Sequence, residues 1–164
     1  SLGLVGSEMC IRDRDKDGIG AGILVAEMAA YYKALGYSLI EVLEGLYEKY
    51  GYILNKQIAI AIDGDDGQER LKTIIENILE KPIESLGDEK LSKIIDFSTD
   101  NTGLAKTIMY KFHYDDSWIC TRPSGTEPKL KFYINASGRT RNEAVTILAQ
   151  AEEKIRAIIN TSND

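Results

Sequence analysis

Ten consecutive residues concentrate the chemistry of this 164-residue chain: Arg122-Pro123-Ser124-Gly125-Thr126-Glu127-Pro128-Lys129-Leu130-Lys131. Two of the three prolines in the chain bracket this loop. Gly125 lets the backbone turn and lets a ligand approach closely. Successive N–H groups from Ser124 to Thr126 suit a concave nest for an anion. Ser124 and Thr126 add hydroxyl donors, and Arg122 offers a planar fork that matches phosphate with two hydrogen bonds. Lys129, Lys131 and Tyr133 alternate with Leu130, Phe132 and Ile134, so the two ammonium groups share the polar face of a strand. From Ile119 to Arg141 there are five basic residues and one acidic residue, on a chain whose net charge is −6. A local cation cluster on an acidic protein marks a specific anion site rather than a nucleic-acid surface. The plain alternative is a turn that needs Pro and Gly only for its shape.

Other chemistry-bearing residues carry less. Asp63-Gly64-Asp65-Asp66-Gly67 clusters three carboxylates, but as a calcium loop it fails because its twelfth position is Ile74 rather than glutamate. Turn formation and the dipole of the following helix account for the three acids, and no metal site is expected there. His113, the single histidine, falls on the polar face of a strand and reads as a surface residue. Cys120 reads as a packed strand residue, although Arg122 nearby would favour its thiolate. Trp118 reads as core or interface.

The elements that must hold the loop follow from periodicity. Leu24, Met28, Tyr31 and Leu35 predict a helix over Ile19–Leu35, ended by Gly36. Ser38 and Glu41 form a capping box for a second helix with a stripe of Leu39, Leu43, Leu46 and Tyr50, ended by Gly51. From Tyr52 the pattern changes, and Ile58, Ile60 and Ile62 alternate as a strand. Leu71, Ile74, Ile75, Ile78 and Leu79 mark an amphipathic helix stopped near Pro82, and the polar stretch Glu84 to Lys93 reads as a loop or a short helical turn. Strands follow at Ile108–Tyr114, Trp118–Thr121 and Leu130–Ile134. Thr140 and Glu143 cap a last helix, with a stripe of Ala144, Leu148, Ala151, Ile155 and Ile158. The predicted fold is α+β. A mostly antiparallel four-stranded sheet carries two helices on one face, preceded by a helical pair.

Hydrophobic residues make up 43% and charged residues 28%, which excludes wholesale disorder. Acidity argues against nucleic acid as a partner, and no apolar run is long enough for a membrane span. Two distant cysteines, Cys10 and Cys120, fit a reducing cytoplasm better than a disulfide framework. Ser1 to Met9 lacks the basic start of a signal peptide.

Thr121 to Tyr133, read whole, resembles the phosphate-binding loop of the α-D-phosphohexomutases, and most nearly the bacterial phosphoglucomutase type that includes phosphopentomutases. Arg14-Asp15-Lys16-Asp17-Gly18, with Ala26-Glu27-Met28-Ala29-Ala30-Tyr31-Tyr32, is similar to the end of that family's third domain. Leu46-Tyr47-Glu48-Lys49-Tyr50-Gly51 is similar to its junction with the fourth. The resemblance implies residues 14–51 as a helical remnant of the third domain and 52–164 as the C-terminal phosphate-binding domain. Residues 1–13 fit no part of the pattern and read as a non-native leader. It further implies an isomerase, an intramolecular phosphotransferase of carbohydrate metabolism. Such enzymes interconvert sugar 1-phosphate and 6-phosphate (or 5-phosphate) through a glucose 1,6-bisphosphate-type intermediate. By position, Arg122, Ser124, Gly125, Thr126 and Lys131 would grip the phosphate that is not reacting. The phosphoserine and the Mg²⁺ site of the family belong to other domains. Asp63-Gly64-Asp65-Asp66-Gly67 departs from the family's metal loop, because Gly67 stands where the third carboxylate should be. The expected partners are a phosphorylated sugar and the remaining mutase domains, and this stretch alone is expected to be inactive. A phosphosugar-binding module without catalysis is the alternative.

Overall fold

A computed structural model of the chain describes residues 18–62, 67–99, 106–124 and 129–161. The chain divides into two compact units between Tyr50 and Gly51. The first contains helices α1 (Gly18–Ala34) and α2 (Leu39–Tyr50). Gly36 takes φ +87°, and Tyr37 N–H donates back to the Tyr32 carbonyl at 2.9 Å, which closes the end of α1. The expected capping box forms at α2. Ser38 N–H donates to the Glu41 carboxylate at 2.7 Å, and Glu41 N–H donates to Ser38 Oγ at 3.2 Å. Neither helix buries a single residue, so the expected stripes face outward, with Leu24 at 66% and Tyr31 at 61% exposure. The predicted leader, 1–13, and the Arg14–Asp17 segment lie outside the described residues.

The second unit is a sheet with two helices on one face. Its strands are β1 (Tyr52–Ala61), β4 (Lys93–Asp96), β5 (Tyr110–His113), β6 (Trp118–Pro123) and β7 (Lys129–Gly138). Between β1 and β4 lie helix α3 (Gly67–Glu80) and a small separate hairpin, β2 (Ser85–Leu86) with β3 (Glu89–Lys90). Helix α4 (Arg141–Thr161) comes last. The sheet order is β1-β7-β6-β5-β4, and every pairing is antiparallel. The sheet has five strands, one more than the four predicted. The extra edge strand, Lys93-Ile94-Ile95-Asp96, hides from periodicity because its two apolar residues are adjacent rather than alternating. The segment expected as a loop or a short helical turn, Glu84 to Lys93, also contains the β2–β3 hairpin.

Ile58 of β1, Leu130, Phe132, Ile134 and Ala136 of β7, Ile119 of β6 and Phe112 of β5 form one apolar layer. Leu71, Ile74, Ile75 and Ile78 of α3 and Ile147, Ala151, Ile155 and Ile159 of α4 cover it. The buried stripe of α4 runs through Ile147 and Ile159, while Leu148 and Ile158, placed in the stripe by the sequence pattern, sit half-buried at its margin. The second capping box forms as expected, with Glu143 N–H donating to Thr140 Oγ1 and the Glu143 carboxylate accepting from Arg139 and Thr140 N–H. The β5–β6 hairpin is clamped from outside. Glu89 accepts from the N–H groups of Asp116 and Ser117 and from Ser117 Oγ, and Ser117 Oγ accepts from Ser137 N–H at 3.0 Å.

Leu130 is fully buried in the middle of this layer, whereas Val145 is 49% exposed on α4. Leu130→Ala is therefore expected to cost about 2–5 kcal/mol in urea unfolding. Val145→Ala should change stability by less than about 0.5 kcal/mol.

Candidate phosphate site

Strands β6 and β7 pair across the basic loop with Arg122 opposite Lys131 and Pro123 opposite Leu130. Ser124 N–H donates to the Lys129 carbonyl at 2.8 Å, which closes the base of the loop. The pleat then separates two functions. Thr121 and Leu130 turn inward, buried, while Arg122 is exposed and Lys129 and Lys131 are half-buried on the opposite face. The structure thus brings Arg122, Ser124 and Lys131 to one end of the β6–β7 ladder. Gly125 and Thr126, the other two predicted contacts, lie outside the described residues, as do Asp63, Asp65 and Asp66 of the acidic turn.

The face that bears Arg122 and Lys131 continues across the sheet. Cross-strand register places Tyr133, Cys120, Lys111 and Ile95 in one row, and Asn135, Trp118, His113 and Lys93 in the next. Lys111 Nζ sits 4.4 Å from the centroid of the Trp118 ring. That contact holds a further cation on the same face, toward the β5–β6 hairpin end of β6 rather than the loop end, which reading the loop alone misses. The alternation of Lys111 with buried Phe112 is the sequence signal that locates it. Trp118, expected in the core or at an interface, is half-buried on this face. Cys120 is buried as expected. Its burial pushes the thiol pKa up, against the opposing pull of Lys111 and Arg122. The expected activation of this thiol by Arg122 is thus outweighed by desolvation. His113 is held below its ordinary value, first by burial and then by the charges of Lys111 and Lys93.

Electrostatically, the loop end of the sheet suits a small dianion. Among the described residues, no acidic side chain forms an ion pair with Arg122 or Lys131. An apolar crevice between the sheet and the helices, lined by Ile78, Ile83, Phe112, Tyr114, Ile155 and Ile158, has no residue from the loop and no charged group to hold an anion. Among the described residues, no group of three or more His, Cys, Asp and Glu side chains comes together to hold a metal ion.

The sheet, its helical layer and this loop define an α+β domain with a basic end. Residues 83–154 match the family described as phosphoglucomutase/phosphomannomutase, C-terminal domain. A probable phosphomannomutase of Haemophilus influenzae is 30% identical over 148 residues, which cover 89% of this chain and 29% of the relative. A phosphoglucomutase of Staphylococcus saprophyticus is 28% identical over 133 residues, covering 74% of this chain and 24% of its own length. The crystal structure of the Paramecium exocytosis-sensitive phosphoprotein pp63/parafusin, a phosphoglucomutase in its open form, shares the fold. Its TM-score is 0.59 at 19% identity, over 90% of this chain and 28% of that one. Residues 83–154 therefore belong to the C-terminal domain of the phosphoglucomutase/phosphomannomutase family, and the chain spans less than a third of the relatives it matches.

Two predictions follow from the charges and packing around the loop. As the single histidine, His113 can be followed alone by NMR, and it should titrate below the ordinary 6.5. A folded pKa below the unfolded one means that protonation favours unfolding. The His113 contribution is then fully present above pH 6.5 and is lost as the pH falls through the lower, folded value. Lys93→Gln should move the titration upward. Separately, Thr121 Oγ1 is buried without a hydrogen-bond partner. Thr121→Val removes the unpaired hydroxyl at nearly constant shape and should raise stability by about 1 kcal/mol in thermal or urea unfolding.

Proposed function

We propose that this domain anchors the non-reacting phosphate of a phosphorylated sugar in a phosphoglucomutase-like enzyme. The reading rests on one observation above all: Arg122 and Lys131 stand opposite each other at the mouth of a loop closed by the Ser124–Lys129 hydrogen bond. Arg122 would supply the bidentate fork, Lys131 a second positive charge, and Ser124, Gly125 and Thr126 the N–H and hydroxyl donors. The use of such a grip is orientation. Holding the dianionic end of the sugar positions the hydroxyl at its other end for phosphoryl transfer, and so converts binding energy into rate. Donors that recognise only the phosphate also accept either end of a bisphosphorylated intermediate, because the ring behind it plays no part in the contact.

The transfer itself requires groups that this reading assigns to the rest of the enzyme. The Mg²⁺ implied by the family has no ligand set among the described residues. In the same reading, residues 14–51 are the end of a preceding domain. The outward apolar side chains of α1 and α2, among them Ile23, Leu24, Met28 and Leu43, are then the face that this domain would cover. The 164-residue chain alone binds without turnover, in a reducing, cytoplasmic setting.

Titration with inorganic phosphate or glucose 1,6-bisphosphate, followed by amide NMR, is expected to shift Ser124 and its loop neighbours. Arg122→Ala should weaken the binding by about 2 kcal/mol, roughly thirtyfold, as expected for loss of charge-assisted hydrogen bonds. An affinity unchanged by this substitution would show that the anchor lies elsewhere. Adding the remaining domains in trans distinguishes a mutase part from a stand-alone binding module, since only the former regains turnover.

A further inference from the structure

The sheet face opposite α3 and α4 carries more positive charge than one phosphate needs. Its strand positions include Lys93 of β4, Lys111 of β5, Arg122 of β6, and Lys129 and Lys131 of β7. No acidic residue occupies a strand position on this face: Asp96, the one acid in these strands, pairs with Tyr110 on the other side. The charges act on a common surface, since Lys111 and Lys93 both depress His113, and Lys111 and Arg122 both bear on Cys120. Among the described residues, α3 and α4 pack on the opposite face, and Gln57, Ala59 and Ala61 of β1 stand exposed on this one.

We propose that this face is a docking surface for an acidic polypeptide segment. Its dimensions favour a polypeptide over a small anion. The cations extend over four adjacent strands, β4 to β7, and three interstrand spacings amount to about 14 Å. A phosphate at the loop reaches only the Arg122–Lys131 end of such a row. Carboxylates on one side of an extended segment recur about every 7 Å, and can meet several of these ammonium groups at once. The aromatic residues argue against nucleic acid, which binds open sheets by stacking bases on exposed rings. Here Trp118 and Tyr133 are half-buried, and one face of Trp118 is already occupied by the Lys111 ammonium. Asn55 and Asn135, joined by a 2.9 Å hydrogen bond, add neutral amides at the border.

Trp118 is the single tryptophan, so its emission reports directly on this face. The 164-residue chain is titrated with poly-L-glutamate, and in parallel with polyuridylate, with Trp118 emission and amide NMR as readouts. Poly-L-glutamate should perturb Trp118 and the β5 and β6 amides, and raising the salt from 50 to 500 mM should weaken it about tenfold or more. Lys93→Glu, on an exposed edge strand, should weaken the response several-fold. Lys93→Glu with Lys111→Glu should abolish it, while inorganic phosphate still shifts Ser124. Circular dichroism confirms that each variant is folded, and Lys93→Glu alone carries the test if the double variant is not. An unchanged response in a folded variant overturns the proposal, as does tighter binding of polyuridylate than of poly-L-glutamate. Loss of the phosphate shift with the polyglutamate response intact would instead count against the anchoring role of the loop.

Discussion

The antiparallel register of β6 against β7 is the constraint on which the rest of this domain depends. Arg122 faces Lys131 and Thr121 faces Phe132, so the pleat sends cations to one side and core residues to the other. A slip of one residue would put Leu130 and Phe132 in water and drive Lys129 and Lys131 against Ile155 and its neighbours. Burial of the apolar layer therefore fixes the side on which the cations appear. The hydrogen bond from Ser124 to Lys129 carries that register up to the base of the loop. The buried core and the cationic face are two results of one alignment.

Concentrating like charges on one face has a cost that local structure reduces. Lys111 lies over the Trp118 ring, where the negative face of the π system offsets some of its charge. Lys129 and Lys131 are half-buried on the sheet. His113 remains neutral more readily than a free histidine because burial first, and then the charges of Lys111 and Lys93, oppose its protonation. Elsewhere charge is balanced locally, as where Arg156 meets Glu152 one helical turn away.

Much of this arrangement was legible in the amino-acid sequence because it rests on local rules. The capping boxes at Ser38 and Thr140, the glycine ends at Gly36 and Gly51, and the alternation of Leu130, Phe132 and Ile134 each need only a few adjacent residues to operate. The edge strand β4 was not legible, because two neighbouring isoleucines have no period and their strand character comes from pairing with β5. The outward stripes of α1 and α2 show the converse: helical periodicity reveals an apolar face, but not whether the unit itself covers it. Of the candidate site, the charged and hydroxyl residues of the loop stand together in the sequence, whereas the placement of Lys111 on the same face depends on a register set across three strands.

The strand order also determines when the loop can take shape. β1 is made early, yet its partner is β7, with Tyr52 against Gly138 and Ala61 against Lys129. Chain emerging from a ribosome must hold β1 unpaired until nearly the whole sheet has been synthesised. Closing so long a connection is slow, and an unpaired strand is open to wrong partners in the interval. The asparagine, lysine and glutamine at positions 55 to 57, set between the apolar residues of β1, interrupt what would otherwise be a sticky β segment during that wait.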